Sequence, residues 1–329
     1  MSNDKILEVK NLKVYFDIKR SFVEDIFAKA KKQVKAVDGV SFDLKKGEIL
    51  SLVGESGSGK TTTGKAILHL IKKTEGEIIF NGSPIEESNK KYMQVFRQKA
   101  QMIFQDPYQS INPRDIVMDI VAEPLDVNKL VKTQEERAEK VTDALESAGL
   151  IPTNDYLYRY PYELSGGQRQ RVVIASSMIM EPTFIVADEP VSMLDASIRT
   201  GILKLMLNLR DKKQITYLFI THDLSLAWLI SDRIAIMYLG RIMEIGKSDD
   251  LIKRGMHPYT KALMEIMPKK VYTKGKTRSV LSGETPNPID DIKGCKFSSR
   301  CPLFSKICLE ECPELREFGP EHFVACHNV

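Results

Sequence analysis

Residues Ser51–Ile71 read SLVGESGSGKTTTGKAILHLI, and the nine residues Gly54–Thr62 within them, GESGSGKTT, decide the fold. The apolar run before Gly54 predicts a strand, and the spacing of apolar residues after Lys60 predicts a helix. The glycines therefore sit at a strand-to-helix turn, the setting that Gly-x4-Gly-Lys-Thr requires. Glycines let such a turn curl into a nest of inward-pointing N–H groups, and the helix N-terminus adds partial positive charge. Gly54, Glu55, Ser56, Gly57, Ser58, Gly59, Lys60, Thr61 and Thr62 are thus the expected cradle for a chain of phosphates. Lys60 neutralises the outer phosphates in this reading, and the Thr61 hydroxyl is offered to Mg2+.

Two later windows extend the phosphate chemistry. TFIVADEP is a strand-like apolar run ending in two carboxylates: Asp188 is placed to hold Mg2+ through water, and Glu189 to polarise an attacking water. LSGGQRQR puts Ser165, Gly166 and Gly167 immediately before the apolar helix-like VVIASSMIM, which makes a second exposed set of N–H groups at a helix start. Around these windows, ILEVKNLKVYF and KAVDGVSFDLKKGEILSLVG read as strands, QEERAEKVTDALESAGL as helix, and TFIVAD and ITYLFITH as strands buried on both faces. The expected fold is α/β, a mainly parallel sheet covered by helices with a helical insertion at about residues 107–182. RSFVEDIFAKAKKQVK carries a helix-like stripe from Phe22 to Ala30 in a basic frame, read as a surface helix.

Composition narrows the function classes. With 329 residues, 43% hydrophobic and 28% charged, the chain is expected to fold as a globular protein. The start MSNDKILEVKNLKVYF has charges among its apolar residues, unlike a secretory signal, and no run reaches membrane-span length, so a cytosolic location is expected. A net charge of +4, from 48 basic and 44 acidic residues, is too even for nucleic acid to be the main partner.

The order GESGSGKTT, FQDP, LSGGQ, VADEP, MLDA and ITHD resembles the ATP-binding subunit of an ABC transporter, over about residues 6–265. The resemblance implies a P-loop (RecA-like) core sheet with an antiparallel β subdomain and the helical insertion, in a nucleotide-binding domain of residues 1–265. It also implies site roles. Tyr15 in LKVYF corresponds to the aromatic that stacks on adenine, with Phe16 the neighbouring candidate. Gln105 in IFQDP corresponds to the glutamine that reaches Mg2+ and the attacking water. Ser165, Gly166, Gly167 and Gln168 would touch the γ-phosphate held by the opposite subunit, so two cassettes close head to tail around two ATP molecules. Asp195 in MLDA lies in the loop at that seam, and His222 in ITHD matches the switch histidine.

KAVDGVSFDLKKGE, FQDPYQSINPR and HPYTKAL resemble the oligopeptide and dipeptide importer branch, and DPYQSINPR its F-type subunit more than its D-type. That implies a second, D-type ATPase partner, two membrane permease subunits, an extracytoplasmic binding protein reached indirectly, and a peripheral place on the cytoplasmic face of the membrane. Importers of oligosaccharides or nickel belong to the same branch. Soluble ABC ATPases of ribosome recycling or DNA repair are the other class considered; the ribosomal ones usually carry two cassettes, and this chain has one LSGGQ.

After HPYTKALMEIMPKK the composition shifts, and TPNPIDDIKG reads as a linker into a cysteine-rich extension placed at 266–329. All five cysteines lie there, spaced Cys295-x5-Cys301-x6-Cys308-x17-Cys326 with Cys312 as an extra thiol. Thiols gathered in a reducing compartment point to metal ligation. Zinc falls behind because no Cys-x2-Cys knuckle occurs, while a 4Fe-4S cluster tolerates these gaps without being required by them. In the resembling branch the form GC-x-F-x-x-RC-P, a later cysteine and a final ACH hold a 4Fe-4S cluster, which implies Cys295, Cys301, Cys308 and Cys326 as ligands; Cys312 departs from that pattern and is read as an idle thiol, with replacement of Cys326 as a ligand the alternative. A tail this short is expected to be irregular and to need such a cross-link in place of a core.

Overall fold

The computed structural model describes residues 4–18, 33–267, 286 and 292–329. The stripe Phe22–Ala30 lies outside the described residues, as does most of TPNPIDDIKG. Among the described residues the strands are, in chain order, β1 (Lys5–Asp17), β2 (Gln33–Lys45), β3 (Ile49–Val53), β4 (Glu75–Phe80), β5 (Ser83–Pro84), β6 (Ala100–Ile103), β7 (Phe184–Asp188), β8 (Thr216–Thr221), β9 (Arg233–Tyr238), β10 (Arg241–Lys247), β11 (Arg316–Gly319) and β12 (His322–Val324). The chain divides into two compact units, one of residues 1–44, 49–84 and 220–329, the other of residues 45–48 and 85–219.

In the first unit the strands run β2-β1-β4-β5 in one sheet and β11-β12-β10-β9-β3 in another. The β1–β4 pair is antiparallel, with Leu7 opposite Phe80 and Val9 opposite Ile78. Leu7, Val9, Leu12 and Val14 are buried while Lys10 and Asn11 are exposed, the alternation of a sheet with one wet face. The β3–β9 pair is parallel, with Leu52 opposite Ala235, and both strands are buried along their whole length. ILSLV and RIAIMY can be continuously apolar, Arg233 aside, because both faces are covered.

The cysteine-rich tail departs from the expected irregular segment. β12 adds antiparallel to β10, with Glu244 opposite Val324, and β11 adds to β12. Phe297 is fully buried in a cluster with Val53, Tyr238, Leu251 and Tyr259 that also takes in Cys295 and Cys308. Burying one such ring stabilises by about 1.5–3 kcal/mol, so the tail uses the core of its own unit. The fully buried Glu244 ties it down further: one oxygen accepts from Met256 N at 2.8 Å and meets His322 Nε2 at 2.7 Å, and the other accepts from His257 N at 3.0 Å. A buried carboxylate is tolerated when its lone pairs are filled in this way. Burial keeps the adjacent His257 neutral, pulling its pKa down to about 3, and its Nδ1 accepts from Tyr259 N to start the helix Pro258–Ile266.

The second unit holds the parallel pair β6–β7, with Met102 opposite Val186, and most of β8, whose last two residues count with the first unit. The helices Val117–Asn128, Gln134–Ser147 and Gly166–Met178 pack on one another, and Val121, Leu125, Val141, Leu145, Val172 and Ile174 are among their buried residues. Thr133 caps the second of these by accepting from Glu136 N at 3.1 Å, while Glu136 returns a carboxylate oxygen to Lys132 N. Arg137 then forks onto Asp126 at 2.9 and 3.1 Å and reaches Asp119 at 2.9 Å, linking two of the helices.

Candidate nucleotide site

In the first unit β3 ends at Val53 and the chain wraps through Gly54–Gly59 into the helix Lys60–Ile67. Gly59 is left-handed at φ +101°, and a Cβ there would stand 2.1 Å from the Ala36 carbonyl oxygen; one on Gly54 would stand 2.1 Å from that of Met237. Only glycine fits either place. Lys60 is buried and folds back over its own loop, donating to the carbonyl oxygens of Gly54 at 2.8 Å and Glu55 at 2.9 Å and to Ser58 Oγ at 3.4 Å. Its ammonium is thereby held across the mouth of the nest. Ser56 and Gly57 are exposed, and Thr61 and Thr62 half-buried, on the turn that follows.

Tyr15, the expected adenine platform, is engaged elsewhere. Its hydroxyl donates to Asp38 Oδ1 at 2.6 Å, the Lys35 ammonium lies 5.9 Å from its ring centre, and burial, reinforced by the Asp38 carboxylate, pushes its pKa up. Phe16, one residue on, is 44% exposed. His222, also in this unit, is exposed one residue beyond β8, and the next residue, Asp223, caps the helix Leu224–Ile230 by accepting from Ser225 N and Leu226 N.

In the second unit β7 ends in Asp188, which is 3% exposed, followed by Glu189. Glu189 adopts φ +45°, a conformation that costs a non-glycine residue of order 1 kcal/mol or more and is found where a side chain must be aimed. Its carbonyl oxygen accepts from Ser192 N at 3.1 Å and Ser192 Oγ at 3.0 Å, which holds the turn. Its carboxylate accepts from Gln105 Nε2 at 3.2 Å, so two residues 84 positions apart in sequence stand side by side. Ser165 caps the helix Gly166–Met178 in a reciprocal box, accepting from Gln168 N at 3.3 Å while Gln168 Oε1 accepts from Ser165 N at 2.9 Å. Ser165 is exposed, and a Cβ on Gly167 would lie 2.6 Å from Ile198 Cγ2, so this position leaves no room for a side chain. Asp195 is exposed at the start of the helix Ala196–Lys213, where its side chain caps no N–H.

The tail cysteines sort into two environments. Cys301 senses Cys308 and Cys326, Cys326 senses Cys308, and Cys295 senses Cys308 and Cys301 as well as Cys312. Cys312 faces Arg241, Lys296 and Asp38, and it lines a cavity of about 340 Å3 with the first two. Burial pushes the Cys295 thiol up to about 12 and raises Cys301, Cys312 and Cys326, so these side chains are thiols unless a cation draws off their protons. The sulfurs also meet polar hydrogens: Asn328 N donates to Cys326 Sγ at 3.4 Å, and Ser305 Oγ lies 3.4 Å from Cys308 Sγ. The expected 4Fe-4S cluster finds no support in a metal-like grouping. Among the described residues no three His, Cys, Asp or Glu side chains gather closely enough to hold a metal ion.

A phosphate nest closed by a lysine, a strand-end acid pair with a glutamine on its second member, and a serine-capped glycine helix start define an ATP-binding cassette. Comparison with known proteins agrees. Residues 37–192 match the ABC transporter family, and residues 243–308 match the family described as oligopeptide/dipeptide transporter, C-terminal region. The chain is 46% identical to the oligopeptide transport ATP-binding protein AppF of Bacillus subtilis, over 99% of this chain and 98% of that one, and 44% identical to OppF of the same organism over 98% and 96%. A putative peptide import ATP-binding protein of Brucella ovis is 45% identical over 89% of this chain and 92% of its own. Among solved structures, cbiO1 of Clostridium perfringens superposes with a TM-score of 0.64 at 25% identity, covering 77% of this chain and 92% of that one. The ATP-binding cassette MJ0796, seen as a dimer with ADP and Pi, gives 0.62 at 26% identity over 74% and 98%. The chain belongs to the ATP-binding subunits of ABC transporters of the oligopeptide/dipeptide type. Among the described residues no helix is long and apolar enough to cross a membrane.

Proposed function

We propose that this chain hydrolyses ATP to drive the import of peptides through a membrane permease. The observation that carries the reading is likeness to AppF along 99% of the chain, tail included, together with the Gln105–Glu189 contact at 3.2 Å. In this reading Gly54–Thr62 hold the triphosphate, Thr61, Gln105 and Asp188 serve Mg2+, Glu189 is the base, and His222 reports the γ-phosphate. Phe16 replaces Tyr15 as the adenine platform, because stacking needs an open ring face and Tyr15 is fixed on Asp38. Ser165–Gln168 face the nucleotide of a second ATPase subunit, with Asp195 at the seam. AppF and OppF as relatives favour the F-type assignment and hence a distinct D-type partner. The assembly places the chain on the cytoplasmic face of the membrane against two permease subunits.

The match of residues 243–308 to an oligopeptide/dipeptide transporter region favours peptides over oligosaccharides or nickel, and transport over ribosome recycling or DNA repair. In vesicles reconstituted with the permeases, binding protein and second ATPase, labelled peptide is expected to accumulate only with MgATP. ATP hydrolysis that runs at full rate without any accumulation of peptide contradicts the transport reading.

Cys295, Cys301, Cys308 and Cys326 are the thiol set proposed to hold a 4Fe-4S cluster, with Cys312 outside it. A zinc ion would draw four sulfurs to about 3.8 Å from one another, whereas a cubane cluster needs wider placement and favours N–H donors to its sulfurs. The N–H donors that Asn328 turns on Cys326 and Cys308, from its backbone at 3.4 Å and its side chain at 3.6 Å, suit the cluster. The cluster supplies a cross-link within the tail. Anaerobically purified protein is expected to be brown, with broad absorbance near the violet that Cys301→Ser removes and Cys312→Ser keeps. Colourless protein holding stoichiometric zinc, or a Cys312→Ser variant that bleaches, contradicts this assignment.

A further inference from the structure

Glu55, the second residue of the phosphate loop, is gripped from the tail. Its backbone N–H donates to Tyr259 Oη at 3.0 Å, and its carboxylate accepts from a single nitrogen of Arg300, Nη1, at 2.9 Å (Oε2) and 3.2 Å (Oε1). Arg300 stands between Cys295 and Cys301. A 3-10 turn over Ser298–Arg300 aims it, and its side chain is only 7% exposed, against 26% for Glu55. The same Nη1 reaches Tyr238 Oη at 3.3 Å, and the guanidinium lies 5.8 Å from the Tyr238 ring centre. The turn is anchored from below: Arg300 N donates to the carbonyl oxygen of the fully buried Phe297, whose ring meets those of Tyr238 and Tyr259 at 5.3 Å each. The aromatic cluster and the arginine together set where Glu55 sits, and Glu55 supplies one of the carbonyl oxygens that hold Lys60.

We propose that Arg300 is a positioning residue of the nucleotide site that acts through Glu55: their ion pair cancels a carboxylate that would otherwise repel the triphosphate. The proposal rests on the reading of Gly54–Thr62 as the ATP cradle. A carboxylate in a loop that receives several negative charges weakens their binding unless a cation sits on it, and an enclosed guanidinium is the side chain best suited to stay charged and in place. One arginine thus makes the tail part of the ATP site without touching ATP.

The test measures binding of a fluorescent ATP analogue with Mg2+, and hydrolysis, on the full chain. Arg300→Met is expected to raise Kd and KM about tenfold with kcat changed less than about twofold, Arg300→Lys to fall between, and Glu55→Gln in the Arg300→Met background to restore affinity to within about twofold. The restoration separates a charge role from a structural one, because a tail merely loosened by the loss of Arg300 gains nothing from neutralising Glu55. Unaltered affinity in Arg300→Met, or a double variant as weak as the single, overturns the proposal. If Arg300→Met loses its cooperative melting transition, Glu55→Gln alone decides. It leaves Arg300 unopposed and is expected to tighten the analogue a few-fold, and unchanged or weaker binding overturns the inference. Failure of the unaltered chain to bind the analogue saturably overturns the nucleotide reading itself, and the inference with it.

Discussion

Replacing Glu189 with glutamine is expected to lower steady-state ATP hydrolysis by about 10²–10⁴-fold, the range a positioned general base contributes, while leaving the affinity for MgATP within a few-fold. The amide keeps the shape of the side chain and can still meet Gln105, now 3.2 Å away, but it cannot take a proton from water. Since φ +45° at this position already commits the backbone to aiming the side chain, an isosteric change has little structural cost. ATP should then remain unhydrolysed in a closed, long-lived dimer with the partner ATPase. Phosphate release under steady-state conditions checks the rate, and sedimentation with and without MgATP checks the closure. Hydrolysis at the unaltered rate would remove Glu189 from the role of base.

Lys60→Ala is expected to weaken MgATP binding about a hundredfold, which corresponds to roughly 3 kcal/mol for charge-assisted hydrogen bonds to phosphate lost from an enclosed site. In the free protein the ammonium is held by the carbonyl oxygens of Gly54 and Glu55, so its removal also takes away the strut across the nest. The two variants fail at different stages: Glu189→Gln should bind and not turn over, Lys60→Ala should not bind at accessible concentrations. Calorimetric titration with MgATP distinguishes them, and near-normal affinity in Lys60→Ala would contradict the phosphate-loop assignment.

GESGSGKTT, VADEP and LSGGQ were legible because each packs its chemistry into one short window whose local geometry is fixed by glycines, a strand end or a helix start. The Gly59 and Gly167 clashes and the Ser165–Gln168 box are the physical form of that legibility. A role for Gln105 comes only from resemblance, and its contact with Glu189 is new with the structure, since nothing local in FQDP says which distant carboxylate it will meet. For the adenine platform the sequence offers two adjacent rings, Tyr15 first and Phe16 beside it. Neighbours on a strand point to opposite faces, and the sequence YF does not say which ring Asp38 will claim. REFG and HFV are too short to announce strands, so the sequence reads as an irregular tail; the pairing of β12 with β10, and of β11 with β12, is a long-range event sealed by the buried Glu244–His322 contact. Arg300 was visible as part of SSRCP but carried no role, because its partner lies 245 positions earlier.

Four thiols in so short a segment suggest a self-contained cross-linked appendix, yet Phe297, Tyr238, Tyr259 and Arg300 form one continuous packing path from the cysteine-rich turn to the phosphate loop. Packed aromatic clusters resist gradual deformation, so damage to the tail should be felt at the loop. Separation of stability from charge effects in the Arg300 and Glu55 variants bears on this directly.

The most direct measurement is the structure of the assembled importer carrying Glu189→Gln in saturating MgATP. Ser165 and the N–H groups of Gly166 and Gly167 should be found on the γ-phosphate of the nucleotide that the opposing ATPase's phosphate-loop lysine holds, and this chain's own Lys60 on the nucleotide it shares with the partner. A triphosphate enclosed by a single chain, with Ser165 turned to solvent in the closed assembly, would contradict it.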